Sequence, residues 1–154
     1  GSTLKVFQLS PDILSIDKEI KIDTPPKFTE GAFVHYRNGT YYLSYSHGHW
    51  NSSTYSVHYA TSKSPVGPWQ YQGAILVSDD VYKGPGHHAF LYNPASDKWY
   101  DFYHRLENVT GDGPYNAHRV LAVEYVEYKP DGRIIPIKMT AKGAETDKLM
   151  SVLR

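Results

Sequence analysis

The sequence predicts an all-β fold. Three observations point to it: a hairpin pattern that occurs twice, turn pairs between short apolar runs, and a heavy weight of aromatic residues. In the first copy Glu30-Gly31-Ala32-Phe33-Val34-His35-Tyr36 is followed by Tyr41-Tyr42-Leu43-Ser44-Tyr45. In the second, His87-His88-Ala89-Phe90-Leu91-Tyr92 is followed by Trp99-Tyr100-Asp101-Phe102-Tyr103. Phe33 aligns with Phe90 and Tyr42 with Tyr100, a period of about 57 to 58 residues, in the range where repeated hairpins build propeller blades. The expected architecture is a partial β-propeller of about two four-stranded blades preceded by a leader strand. The first strand of a blade lines the central channel, so Glu30 and His87 are expected at equivalent places on one cavity.

Gly1-Ser2 reads as a cloning remnant, and residues 3–29 as a leader forming the outer part of a preceding blade. Within it Leu4 to Leu9 alternates as a strand closed by Ser10-Pro11-Asp12, and Ile13 to Ile22 is a weaker extended segment. Thr24-Pro25-Pro26 breaks the pattern. The first blade, 30–83, opens with Ala32 to Tyr36 and Tyr41 to Ser46 around Asn38-Gly39, a favoured hairpin turn. Ser56 to Thr61 and Trp69 to Leu76 follow as its outer strands, joined through Ser64-Pro65-Val66-Gly67-Pro68. The second blade, 84–140, is expected as Ala89 to Tyr92, Trp99 to His104, Arg119 to Tyr128 and Ile134 to Lys138, with Pro130-Asp131-Gly132 as the last turn. The tail, 141–154, has mild helix-forming composition with ends expected to fray.

The 154 residues suffice for one domain but are few for a whole propeller of four or more blades. Acidic and basic residues balance at 16 each, which gives no field to steer the chain to nucleic acid or an anionic membrane. No apolar run is long enough to span a bilayer, and none reads as a signal peptide. With no cysteine, the redox compartment is unmarked. The 14 tyrosines and 3 tryptophans suit half-buried strands, and most are assigned there; Trp50, Tyr55 and Tyr115 are the candidates for a ligand platform.

The combination of Phe28-Thr29-Glu30-Gly31-Ala32, Asn38-Gly39-Thr40-Tyr41-Tyr42, Tyr59-Ala60-Thr61-Ser62-Lys63-Ser64-Pro65-Val66-Gly67-Pro68-Trp69, Gly84-Pro85-Gly86-His87 and Tyr103-His104-Arg105 resembles glycoside hydrolase family 43. Arg119-Val120-Leu121 and Asp131-Gly132-Arg133-Ile134-Ile135-Pro136 complete the series in the same order. Members are five-bladed propeller enzymes acting on arabinan, xylan and related polysaccharides. The resemblance implies that Glu30 matches the family's acid, and that an Asp base and an Asp that tunes the acid would lie upstream of Thr3. Asp12, Asp17 and Asp23 lack the context of either motif.

By the same resemblance His87 would face the channel and bind a central metal, calcium, largely through waters; alternatively it caps a turn. One imidazole is a poor calcium site, since calcium takes six to eight oxygen ligands, so binding should be weak, and no organic cofactor is implied. His88, next along the strand, should face the other way. Arg119 resembles the arginine that reaches toward substrate or acid, with a salt bridge across a blade edge as the alternative, and His104 would stand behind the site. His47, Gly48, His49 and Trp50 lack a spaced carboxylate or cysteine partner and are assigned to a substrate-rim loop.

Sequons at Asn38, Asn51 and Asn108, with the polysaccharide substrates implied by resemblance, suggest a secreted or periplasmic protein. Three functional readings stand: a glycosidase piece acting on pentose-containing polysaccharide, a non-catalytic carbohydrate-binding or interaction module, and a half-propeller fragment that self-assembles. Carbohydrate is the expected ligand, and a second copy or the missing N-terminal half the expected protein partner.

Overall fold

The computed structural model describes residues 2–145, and over them the chain is built of strands and turns without helix. A leader hairpin pairs β1 (Val6–Leu9) antiparallel with β2 (Ile16–Ile20). The first blade holds β3 (Glu30–Arg37), β4 (Thr40–His47), β5 (Ser56–Ser62) and β6 (Gln70–Leu76), hydrogen-bonded in chain order. The second holds β7 (Lys83–Asn93), β8 (Lys98–Leu106) and β9 (Arg119–Val126). This is the expected partial propeller.

The Asn38-Gly39 turn closes β3 on β4 with Arg37 opposite Thr40. Both turn residues have positive φ, 48° and 75°, as the tight hairpin turn requires. Period-two alternation then sends β4 to two interiors. Leu43 and Tyr45 face a cluster that the leader completes with Leu4 and Phe28, and the Tyr45 hydroxyl donates to Pro26 O at 2.7 Å. Tyr42 faces the larger core, where Tyr59, Ile75 and Leu76 of the first blade meet Phe90, Tyr103, Ala122 and Val126 of the second. Each such ring or aliphatic side chain withdrawn from water is worth about 1.5–3 kcal/mol. The two blades therefore share one core rather than building one each.

The second blade departs from expectation at its fourth strand. Instead of a run from Ile134 to Lys138, a single bridge joins Tyr128 to Ile134. Pro136 brings no N–H to a ladder, and the next donor, Ile137 N, bonds across the seam to Ile75 O of the first blade at 2.7 Å. The segment thus closes the groove between the blades. The mild helix-forming composition of the tail gives no helix over 141–145, where Ala144 N donates to Val123 O; the rest of that tail lies outside the described residues.

Candidate active site

The two inner strands are irregular at the same end. β3 shifts register between Glu30 and Phe33, and β7 shifts between Lys83 and Gly86 and again between Gly86 and Ala89. Bulges re-aim the side chains beside them. Here they also touch: a Cβ on Gly31 would stand 3.2 Å from Ser46 Oγ and 3.6 Å from His87 Nδ1. Ser46 Oγ accepts the His87 N–H at 2.8 Å, which fixes a residue whose φ of 49° is unusual outside glycine. Glu30 and His87 are both exposed at this mouth. His88 faces inward, 5 % exposed, with Nε2 2.6 Å from Ser44 Oγ.

Glu30 is held by Tyr55. The phenol donates to Glu30 Oε1 at 2.7 Å. Burial, more than the neighbouring carboxylate, pushes the Tyr55 hydroxyl up to about 12, so it remains a donor at any ordinary pH. Its ring is 1 % exposed and stacks on His104 with centroids 5.7 Å apart. Gly86 makes room for it, since a Cβ there would lie 2.2 Å from Tyr55 Cε1. Tyr55 is therefore not the sugar platform the sequence suggested; it is the support under the carboxylate.

Behind it, half-buried His104 is pulled down to about 4, mainly by burial and further by the positive charge of Arg119. The imidazole is neutral at neutral pH, and its Nε2 is buried without a hydrogen-bond partner among the described residues. Arg119, at the start of β9, is exposed and makes no ion pair among the described residues, so the salt-bridge alternative is not realised. Its guanidinium lies 5.5 Å from the ring centre of Trp50, which is half exposed on the β4–β5 loop.

Tyr115 departs from the expected platform. It is 9 % exposed, its N–H donates to Asn51 O at 2.7 Å, and its hydroxyl turns back to Gly111 O. With the Ser53–Asp112 hydrogen bond at 2.8 Å, it clips the β4–β5 loop to the loop before β9. His47 does not lie on the rim loop expected for it: it ends β4, with its Nδ1 buried and its ring edge-on to His58 at 5.1 Å, whereas exposed His49 has Nδ1 2.6 Å from Asn51 Oδ1 and stacks on Trp50. Among the described residues no group of three or more His, Cys, Asp or Glu is placed to hold a metal. The site thus gathers one oriented carboxylate, an exposed imidazole, a neutral one, a free guanidinium and an exposed indole at one end of both blades.

The profile of glycosyl hydrolases family 43 matches residues 2–134. The chain belongs to this family. It is 40% identical over 116 residues to a xylosidase/arabinosidase of Bacteroides ovatus, covering 75% of this chain and 32% of that protein. It is 30% identical over 144 residues to a β-D-galactofuranosidase of Aspergillus niger, covering 91% of this chain and 41% of that protein. Among solved structures, an α-L-arabinofuranosidase of Clostridium thermocellum superposes with a TM-score of 0.66 at 29% identity, over 88% of this chain and 45% of that one. This family 43 chain therefore spans less than half the length of these relatives.

Proposed function

We propose that the chain carries the general-acid side of a glycosidase site for pentose-containing plant polysaccharides of the xylan and arabinan type. The observation that carries this is the Tyr55–Glu30 hydrogen bond at an open mouth. It leaves Oε2 of Glu30 free to protonate a leaving glycosidic oxygen while Oε1 is fixed. Arg119 would bind sugar hydroxyls, Trp50 would stack on a sugar ring, and neutral His104 would hold Tyr55 from behind. Inverting hydrolysis also needs a base roughly 6.5–9.5 Å from the acid. We assign that base, and the aspartate that tunes the acid, to sequence outside residues 1–154, so hydrolysis would require a segment that supplies both.

Calcium at His87 fits the donor set poorly, because one exposed imidazole offers no oxygen. An ion there would be held mainly through water, and no step is assigned to it. The substrate class favours a secreted or periplasmic setting. A second reading, a carbohydrate-binding module without turnover, is favoured by the half-exposed Trp50 beside Arg119.

The test is complementation. Alone, the chain should not turn over aryl arabinofuranosides or xylosides at ordinary enzyme rates. Mixed with a polypeptide supplying the first two blades of a relative, it should, and Glu30→Gln should abolish the restored rate. Robust hydrolysis by the chain alone that survives Glu30→Gln would overturn the assignment. Saturable sugar binding with no restored turnover selects the second reading.

A further inference from the structure

The far end of the blades carries a second concavity with a different chemistry. Arg37 ends β3, the strand that Glu30 begins, so the two ends are separated by about 23 Å at roughly 3.3 Å per residue. A cavity of about 640 Å³ opens there between the β3–β4 turn, the β5–β6 loop and the turn at 130–133. That is within the range of about 300–1,000 Å³ typical of small-ligand sites.

Its charge is unbalanced. Arg37, Lys63 and Arg133 line it against one carboxylate, Asp131, and Asp131 is already bound by Arg133 at 2.7 Å. Arg37 and Lys63 have no ion pair among the described residues. Neutral groups hold them in place instead: Lys63 Nζ donates to Gly39 O at 3.2 Å and Thr40 Oγ1 at 2.9 Å, and the Arg37 guanidinium lies 4.2 Å above the Tyr128 ring. An arginine with five N–H donors so placed has most of them to offer. Arg37 also borders a neighbouring cavity of about 580 Å³, but there Lys98 stands with Asp97 and Glu127, so the excess of positive charge is confined to the first cavity.

The aromatic rings nearby do not make a stacking platform. Tyr42 is 2 % exposed and Tyr128 is covered by Arg37. A neutral sugar would find little to stack on. The remaining walls include Gln70 and Gln72, and Gln72 donates Nε2 to Thr61 Oγ1 at 3.0 Å, leaving its carbonyl to accept. A bare inorganic anion would leave these amides unused, whereas a ligand with both a carboxylate and hydroxyls engages both sets. We propose that this cavity is a second site, remote from Glu30, for an oligosaccharide bearing a uronic-acid carboxylate. The carboxylate is received by Arg37 and Lys63, and ring hydroxyls by the two glutamines. This choice of ligand rests on the polysaccharide reading above.

Amide chemical-shift titration of the chain with glucuronic-acid-substituted xylotriose, unsubstituted xylotriose and inorganic phosphate tests it. The acidic tetrasaccharide should shift Thr40, Gly132 and Arg133 saturably. It should bind there at least tenfold more tightly than either control, and Arg37→Ala should weaken it at least tenfold. Lys63→Met, which leaves the Tyr128 contact intact, should weaken it as well and serves if Arg37→Ala misfolds. Equal binding of the neutral trisaccharide, equal binding of phosphate, or no shift at this end overturns the proposal. Shifts around Glu30 and Trp50 report separately on the polysaccharide reading, since neutral xylotriose should produce them whether or not the second site exists.

Discussion

Lowering the pH from about 7.5 to about 5.5 should destabilise the fold through its buried histidines. His35, His58 and His88 are 7 %, 8 % and 5 % exposed. Burial, the largest cause in each case, takes His35 and His88 down to about 3 and His58 to about 4. Arg37 adds to the effect at His35, His47 and Lys27 at His58, and His35 and His87 at His88. In the unfolded chain each ring titrates near about 6.5. With folded values below unfolded ones, unfolding takes up protons as the pH falls, so this stability is full above about 6.5 and is lost toward the folded values. Over that interval the loss is about 1.4 kcal/mol for each ring and about 4 kcal/mol for the three, and His104, also held down at about 4, adds about 1.4 kcal/mol more. Asp101 works in the opposite direction. Fully buried opposite Glu124, it is raised well above the usual carboxylate range, mainly by burial, so its contribution is present at low pH and fades as the pH rises. Asp101→Asn removes that opposing titration. Urea denaturation of this variant should show the whole loss of about 5.5 kcal/mol, and the parent chain a smaller one. A variant whose urea midpoint is unchanged between the two pH values, or higher at the lower one, would refute the reasoning.

Tyr55→Phe should leave the fold intact but free the Glu30 carboxylate. Loss of a hydrogen bond to a charged group is worth about 1.5–3 kcal/mol, so kcat of the complemented enzyme should fall at least about tenfold with KM little changed; an unaltered kcat removes Tyr55 from the mechanism. Gly86→Ala drives a methyl into the Tyr55 ring and should cost about 1–3 kcal/mol by thermal or urea unfolding, with a neutral result showing that the ring is not seated there. Exposed Val34, Tyr36 and Leu91 on the inner strands and Ile13, Leu14 and Ile16 on the leader should drive self-association, seen as a dimer or larger by light scattering at micromolar concentration. A well-folded monomer independent of concentration contradicts it.

The repeat made the inner hairpins legible because it records local pairing: Phe33 with Ser44 and Ala89 with Phe102 lie on hairpins that close within a few residues of their turns. Even the kinship of Glu30 and His87 could be read, since both stand at the start of the repeat. What could not be read depends on contacts between distant segments. Nothing near Tyr55 in sequence says that its ring will lie on Gly86, because the space is created by the second blade. The same holds for Ile134 to Lys138, whose alternation suits a strand but whose Ile137 N–H finds its acceptor on Ile75, in the other blade. Tyr115 looked like an exposed aromatic because its loop is polar, and only the hydrogen bond to Asn51 reveals it as a clip.

The crossing of Ile137 to Ile75 bears on how the two blades come apart. A propeller blade is commonly pictured as a leaf that can be peeled from its neighbour, but here the chain that follows the second blade is sewn to the rim of the first. Ile134 N–H is likewise received by the Tyr59 hydroxyl at 3.1 Å, and the Tyr42 hydroxyl donates to Gly132 O at 2.8 Å, so three stitches cross the seam beside a shared core. Neither leaf can detach without undoing all three. Amide protons on β4 and β8 should accordingly exchange with solvent on one clock, released together when the pair opens as a unit.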